Sequence, residues 1–125
     1  MDIKIKRTVD FVPKWENNKA NTTNPIVFKL RYLTTFESDE CYSITPSQFD
    51  IRGKKIGGRQ VTVDRKKMFL FATMGITNFT VTDETGKKTE IKTGEDLLAS
   101  PGLEDLFFEA IAYIRVMDAR VDSKN

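Results

Sequence analysis

The chain has 125 residues, of which 39% are hydrophobic and 30% charged. This profile suits one globular domain and excludes disordered, fibrous and membrane-spanning classes. With no histidine and a single cysteine, it also excludes Ser-His-Asp and Cys-His nucleophile systems, histidine-containing or all-cysteine zinc sites, and an internal disulfide. The net charge of +2 is unevenly spread: residues 1–82 hold 14 Lys/Arg against 8 Asp/Glu (+6), and residues 83–125 hold 6 against 10 (−4). Such asymmetry bears on association rather than on fold.

Residues 3–11 place Ile3, Ile5, Val9 and Phe11 between charged residues, the pattern of a half-buried strand. A phase slip is read at Arg7-Thr8, as a bulge. This opening alternates, so it lacks the continuous apolar stretch of a signal peptide, and no apolar run approaches the ~18 residues of a membrane span. The expected compartment is the cytoplasm. Pro13 ends the strand, and Lys14 to Asn24 read as an exposed, mobile loop near residues 14–24. In the next strand Ile26, Phe28, Leu30 and Tyr32 share one face, and antiparallel pairing with residues 3–11 is expected.

Thr45-Pro46-Ser47-Gln48 signals a short helix, with Thr45 as its cap. Residues 52–59 form a basic, glycine-rich loop. Asp64 is expected to cap a helix over 65–74 that stops at Gly75, although Met68-Phe69-Leu70-Phe71 alone is also compatible with a buried strand. A hairpin follows, turning at Asp83-Glu84-Thr85-Gly86. Thr93-Gly94-Glu95-Asp96 matches a capping box opening a helix through Leu97-Leu98-Ala99.

The last element is the longest. Ser100 is read as its cap and Pro101 as its first residue. Leu103, Leu106, Phe107, Ala110, Ile111, Ile114, Met117 and Val121 follow 3–4 spacing, and Phe108, Ala112 and Val116 make a second apolar row. The expected fold is α+β: a small antiparallel sheet with a long C-terminal amphipathic helix over 101–121 and two or three short helices. Residues 1–125 are expected to form a single domain, with a short tail after 121.

The remaining chemistry is sparse. Adjacent carboxylates such as Asp39-Glu40 and Asp83-Glu84 lack the spacing of a calcium loop. Gly53-Lys54-Lys55-Ile56-Gly57-Gly58-Arg59-Gln60 has the spacing of a phosphate loop, but Arg59-Gln60 stands where Lys and Ser/Thr belong. Arg52, Lys54, Lys55, Arg59, Arg65, Lys66 and Lys67 form a basic patch. It contains no aromatic residue for base stacking, which argues against a nucleic-acid partner. Cys41, with no histidine to activate it, reads as a small buried hydrophobe. Trp15 either covers the core or anchors a partner. No enzyme activity, metal or cofactor is expected.

The opening Lys6-Arg7-Thr8-Val9-Asp10-Phe11-Val12-Pro13-Lys14-Trp15-Glu16-Asn17-Asn18 resembles that of the tail assembly chaperones of long-tailed bacteriophages. Asn24-Pro25-Ile26-Val27-Phe28-Lys29-Leu30, Phe79 to Gly86 and Thr93 to Leu98 resemble the same family, as does the terminal amphipathic helix. The resemblance covers the two ends better than residues 36–75. It implies a cytoplasmic, non-catalytic, oligomeric protein that binds the tape measure protein and helps recruit tail tube protein subunits. Leu103, Phe107, Phe108, Ile111, Ile114, Met117 and Trp15 are then the protein-binding candidates. The alternatives are a structural tail or head-completion protein of the virion, and a small nucleic-acid-binding regulator using the patch at 52–67.

Overall fold

The computed structural model describes residues 1–45 and 60–118. The fold is α+β. Its centre is a three-stranded antiparallel sheet ordered β1-β2-β5, with β1 at Thr8–Phe11, β2 at Val27–Arg31 and β5 at Thr73–Thr77. β1 pairs with β2 from Thr8 opposite Arg31 to Phe11 opposite Phe28. The pairing is unbroken, so there is no bulge at Arg7-Thr8. Ile3, Ile5, Val9 and Phe11 all have odd numbers and therefore share one face of an extended chain; Arg7 is simply a charged residue on that face. The irregularity lies elsewhere: Lys29 faces Gly75 and Leu30 faces Thr73, which leaves Met74 as an extra residue in β5.

The short helices flank this sheet. α1 spans Thr35–Cys41 and begins with a full capping box between Thr34 and Glu37. α2 spans Arg65–Ala72, capped by the Asp64 side chain. Met68 to Phe71 are thus helical, and the chain passes straight into β5. Gly75 is not a helix stop; it lies inside β5, where a Cβ would meet the Lys92 carbonyl at 3.7 Å. Between α1 and α2, β3 (Tyr42–Thr45) and β4 (Gln60–Val63) pair as a two-stranded ladder. Thr45 is the last residue of β3, and the short helix expected after it lies outside the described residues. Asn78, at φ +61°, turns the chain into β6 (Thr80–Thr82), which pairs with β7 (Lys88–Glu90) across the expected turn, where Gly86 has φ +86°. α3 (Gly94–Ala99) carries the expected box between Thr93 and Asp96.

The last helix, α4, spans Glu104–Met117 and starts later than expected. Gly102, at φ +87°, takes the chain out of helical conformation after Pro101. Ser100 closes α3 instead: its N–H donates to the Leu97 carbonyl and its hydroxyl to the Asp96 carbonyl. Leu103 precedes α4 without a side-chain cap.

The core joins sheet to helices through aromatic contacts. Phe69 of α2 lies edge-on to Phe28 of β2, with centroids 6.4 Å apart, and to Phe107 of α4 at 5.2 Å. Phe11 of β1 stacks on Tyr113 of α4 at 4.4 Å. Burying each large aromatic contributes on the order of 2–3 kcal/mol, which is why these few rings set how α2 and α4 lie on the sheet.

The segment read as an exposed loop over 14–24 is exposed along most of its length but tied down at three points. Trp15–Ala20 form a 3-10 turn, with Glu16 and Asn17 at positive φ. Buried Asn18 donates to the carbonyls of Pro13 and Ile26, both at 3.0 Å, and accepts from the Ile26 N–H at 2.7 Å. Glu109 of α4 accepts from the backbone N–H groups of Lys14 and Trp15.

Candidate functional site

α4 presents two apolar rows with different fates. Leu106, Phe107, Ala110, Ile111 and Ile114 are buried in the core. Phe108, Ala112 and Val116, one position further round at each turn, face solvent; Phe108 is 50% and Val116 68% exposed. At 1.5 Å per residue this row runs for about 12 Å along one side of the helix. Four-residue spacing forms the kind of ridge that packs into the groove of a second helix.

Beside Phe108 the surface is concave. A groove of about 850 Å3 lies between β4, the start of α2, the end of α3 and one side of α4. Val61, Val63, Leu97, Leu98, Leu103 and the rings of Phe107 and Phe108 supply its apolar lining. Arg65, Lys66 and Arg115 outnumber Asp64 and Glu104 on its polar margin. The fold explains this placement. Asp64 accepts from the Lys67 N–H and so fixes the start of α2, which puts Arg65 and Lys66 on the rim. Gly102 breaks the chain between α3 and α4, so the ends of the two helices splay around Leu103.

The sequence candidates divide accordingly. Phe108 stands at the groove and on the exposed row. Leu103 and Phe107 are buried in the core while also lining the groove. Ile111 and Ile114 are core residues, removed from any surface, and Met117 is half-buried against that core. Trp15 is half-buried too and lies edge-on to Phe79 at 5.8 Å. Of the basic patch, Arg65 and Lys66 reach the groove, Lys67 is exposed beside them, and Arg52, Lys54, Lys55 and Arg59 lie outside the described residues. Ala112, Val116 and Val61 were not among the candidates. The row containing Ala112 and Val116 was visible in the spacing; the exposure of Val61, in a ladder that local sequence signals did not reveal, was not.

The remaining reactive groups are held quiet. Burial pushes the Cys41 thiol up to about 11, so it is a protonated thiol at neutral pH. Among the described residues no group of three or more His, Cys, Asp or Glu side chains gathers as a metal site. Among them, too, no helix is long and apolar enough to cross a membrane.

No protein-family model, curated protein or solved structure matches the chain.

Proposed function

We propose that this chain is a non-catalytic assembly chaperone of the phage-tail type, working in the bacterial cytoplasm, and that it holds a helical segment of a tape measure protein along α4. The observation that carries this reading is the solvent-facing row Phe108–Ala112–Val116 beside an apolar groove. An exposed ridge of this spacing is half of a helix–helix seam, and a tape measure protein is a long helical client. Cations prevail on the groove margin, which favours an amphipathic segment with acidic flanks. The resemblance of the two ends of the chain to tail assembly chaperones supports the same reading.

Co-expression with a tape measure protein tests it. The expected result is a soluble complex on size exclusion, lost on Phe108→Asp/Val116→Asp with only a small fall in thermal stability, because Val116 faces water and Phe108 is half-exposed. A tape measure protein that stays insoluble and elutes without the chain would overturn the proposal. Equal capture by the double variant would remove α4 from it.

A further inference from the structure

The segment before β1, residues 1–7, is exposed throughout and pairs with no other described strand. Ile3 and Ile5 are each 67% exposed. They share odd parity with Val9 and Phe11, which turn toward the core, so once extended as a strand they would prolong the inner face of β1. β2 cannot cover them: the Tyr32 N–H still donates to the Arg7 carbonyl, and the chain then turns into α1. That hydrogen bond also directs the backbone groups of Arg7, Val9 and Phe11 toward β2. The N–H and C=O groups of Thr8 and Asp10 therefore point outward, along an edge that no described element pairs with.

We propose that residues 3–11 pair antiparallel with the same residues of a second copy, about a twofold axis at Arg7, joining two sheets edge to edge. Side-chain matching selects this register. It places Ile3 opposite Phe11 and Ile5 opposite Val9 of the other copy, so each exposed isoleucine meets a core-facing residue. On the outer face it places Lys4 opposite Asp10, which already stands across β1 and β2 from Lys29. Charges then alternate along Lys29, Asp10 and the second copy's Lys4. Centring the pair on Thr8 sets Ile3 against Pro13, which is fully buried and lies beyond the end of β1, and leaves Lys4 against Val12; centring it on Lys6 loses the Lys4–Asp10 match. Lysines on a free edge usually discourage strand addition. Here they have acceptors in one register, so they select that register instead. The register carries one cost, Arg7 facing its own copy across the axis. The surface is isologous and closes as a dimer. It leaves α4 untouched and does not depend on the chaperone reading.

Sedimentation equilibrium and cysteine crosslinking test this. Wild-type protein is expected to dimerise. Ile5→Asp should weaken the dimer at least about tenfold with an unchanged melting temperature at concentrations where both chains are monomeric, and Arg7→Thr should strengthen it by removing the like-charge contact. Residues facing each other at a non-hydrogen-bonded position approach to about 4.5 Å between Cα atoms, within disulfide range. Arg7→Cys should therefore form an intermolecular disulfide in oxidised glutathione much faster than Lys6→Cys, whose partner in this register is Thr8. Buried Cys41 is the internal control. A wild-type chain that stays monomeric at all concentrations, a dimer indifferent to Ile5→Asp, or equal crosslinking of the two variants would each overturn the proposal.

Discussion

The Glu109 carboxylate on α4 accepts the backbone N–H of Trp15 at 3.0 Å, binding the turn after β1 to the helix. The same carboxylate also takes the Lys14 N–H. One acidic side chain thus satisfies two donors that no strand or helix uses. Glu109→Ala is expected to cost about 1–2 kcal/mol, the worth of charge-assisted hydrogen bonds to partly exposed groups. Trp15 is the lone tryptophan, so its fluorescence reports the change directly. Stronger acrylamide quenching and a red-shifted emission are expected in the variant. Unchanged quenching would show that the turn holds without Glu109.

Asn18 should matter more, because it is buried and fully used. Asn18→Ala leaves the Pro13 and Ile26 carbonyls and the Ile26 N–H without their partner. The expected loss is about 2–3 kcal/mol in urea denaturation. Asn18→Asp keeps an acceptor for the N–H but turns a carboxylate toward two carbonyls, so it should be no better than alanine.

Arg31 and Glu37 give the stability a defined acid limb. The guanidinium of Arg31 on β2 forks onto the Glu37 carboxylate of α1 at 2.7 and 2.5 Å. The Arg31 hydrogen bonds hold the Glu37 carboxyl at about 2, below its usual 4.5. A depressed carboxylate contributes its stability above the unfolded value near 4.5 and loses it as pH falls through about 2. Glu37→Gln keeps an oxygen for the Thr34 cap but removes the charge and one of the two acceptors of Arg31. At neutral pH it should cost about 1 kcal/mol. The gap from wild type should narrow below pH 4.5 and close near pH 2, read by urea denaturation across that range. A gap independent of pH would assign the effect to packing rather than charge.

Cys41 is a probe of opening rather than a reactive centre. It is 1% exposed and its thiol is raised to about 11. Labelling by a thiol reagent at neutral pH should be slower than in the urea-unfolded chain by at least about a thousandfold, because it must await an opening of the core. Fast labelling of the native protein would mean that α1 detaches at low cost.

What the sequence alone determined was local or exclusionary. Lacking histidine, it rules out Ser-His-Asp and Cys-His nucleophile systems and histidine-containing zinc sites. Asp64 before α2, Thr93 with Asp96, and Gly86 in its turn act within a few residues of themselves, so their roles were legible. Thr34-Thr35-Phe36-Glu37 carries the same capping signature and was open to the same reading. Alternation in residues 3–11 and 26–32 was sufficient to pair β1 with β2, because a period of two has one natural partner. The tertiary structure decided what depends on distant contacts. Both apolar rows of α4 are visible in sequence, and the one that turned inward is the one that meets Phe69 and the sheet. Nothing near Asn18 announces that it will clamp Ile26, and nothing near Ile3 announces that β2 ends too soon to cover it. Local signals choose elements because capping and periodicity act over one turn or one strand. Burial is shared between residues far apart in the chain, so only the assembled fold assigns it, and with it the exposed side of α4 and the open edge of β1.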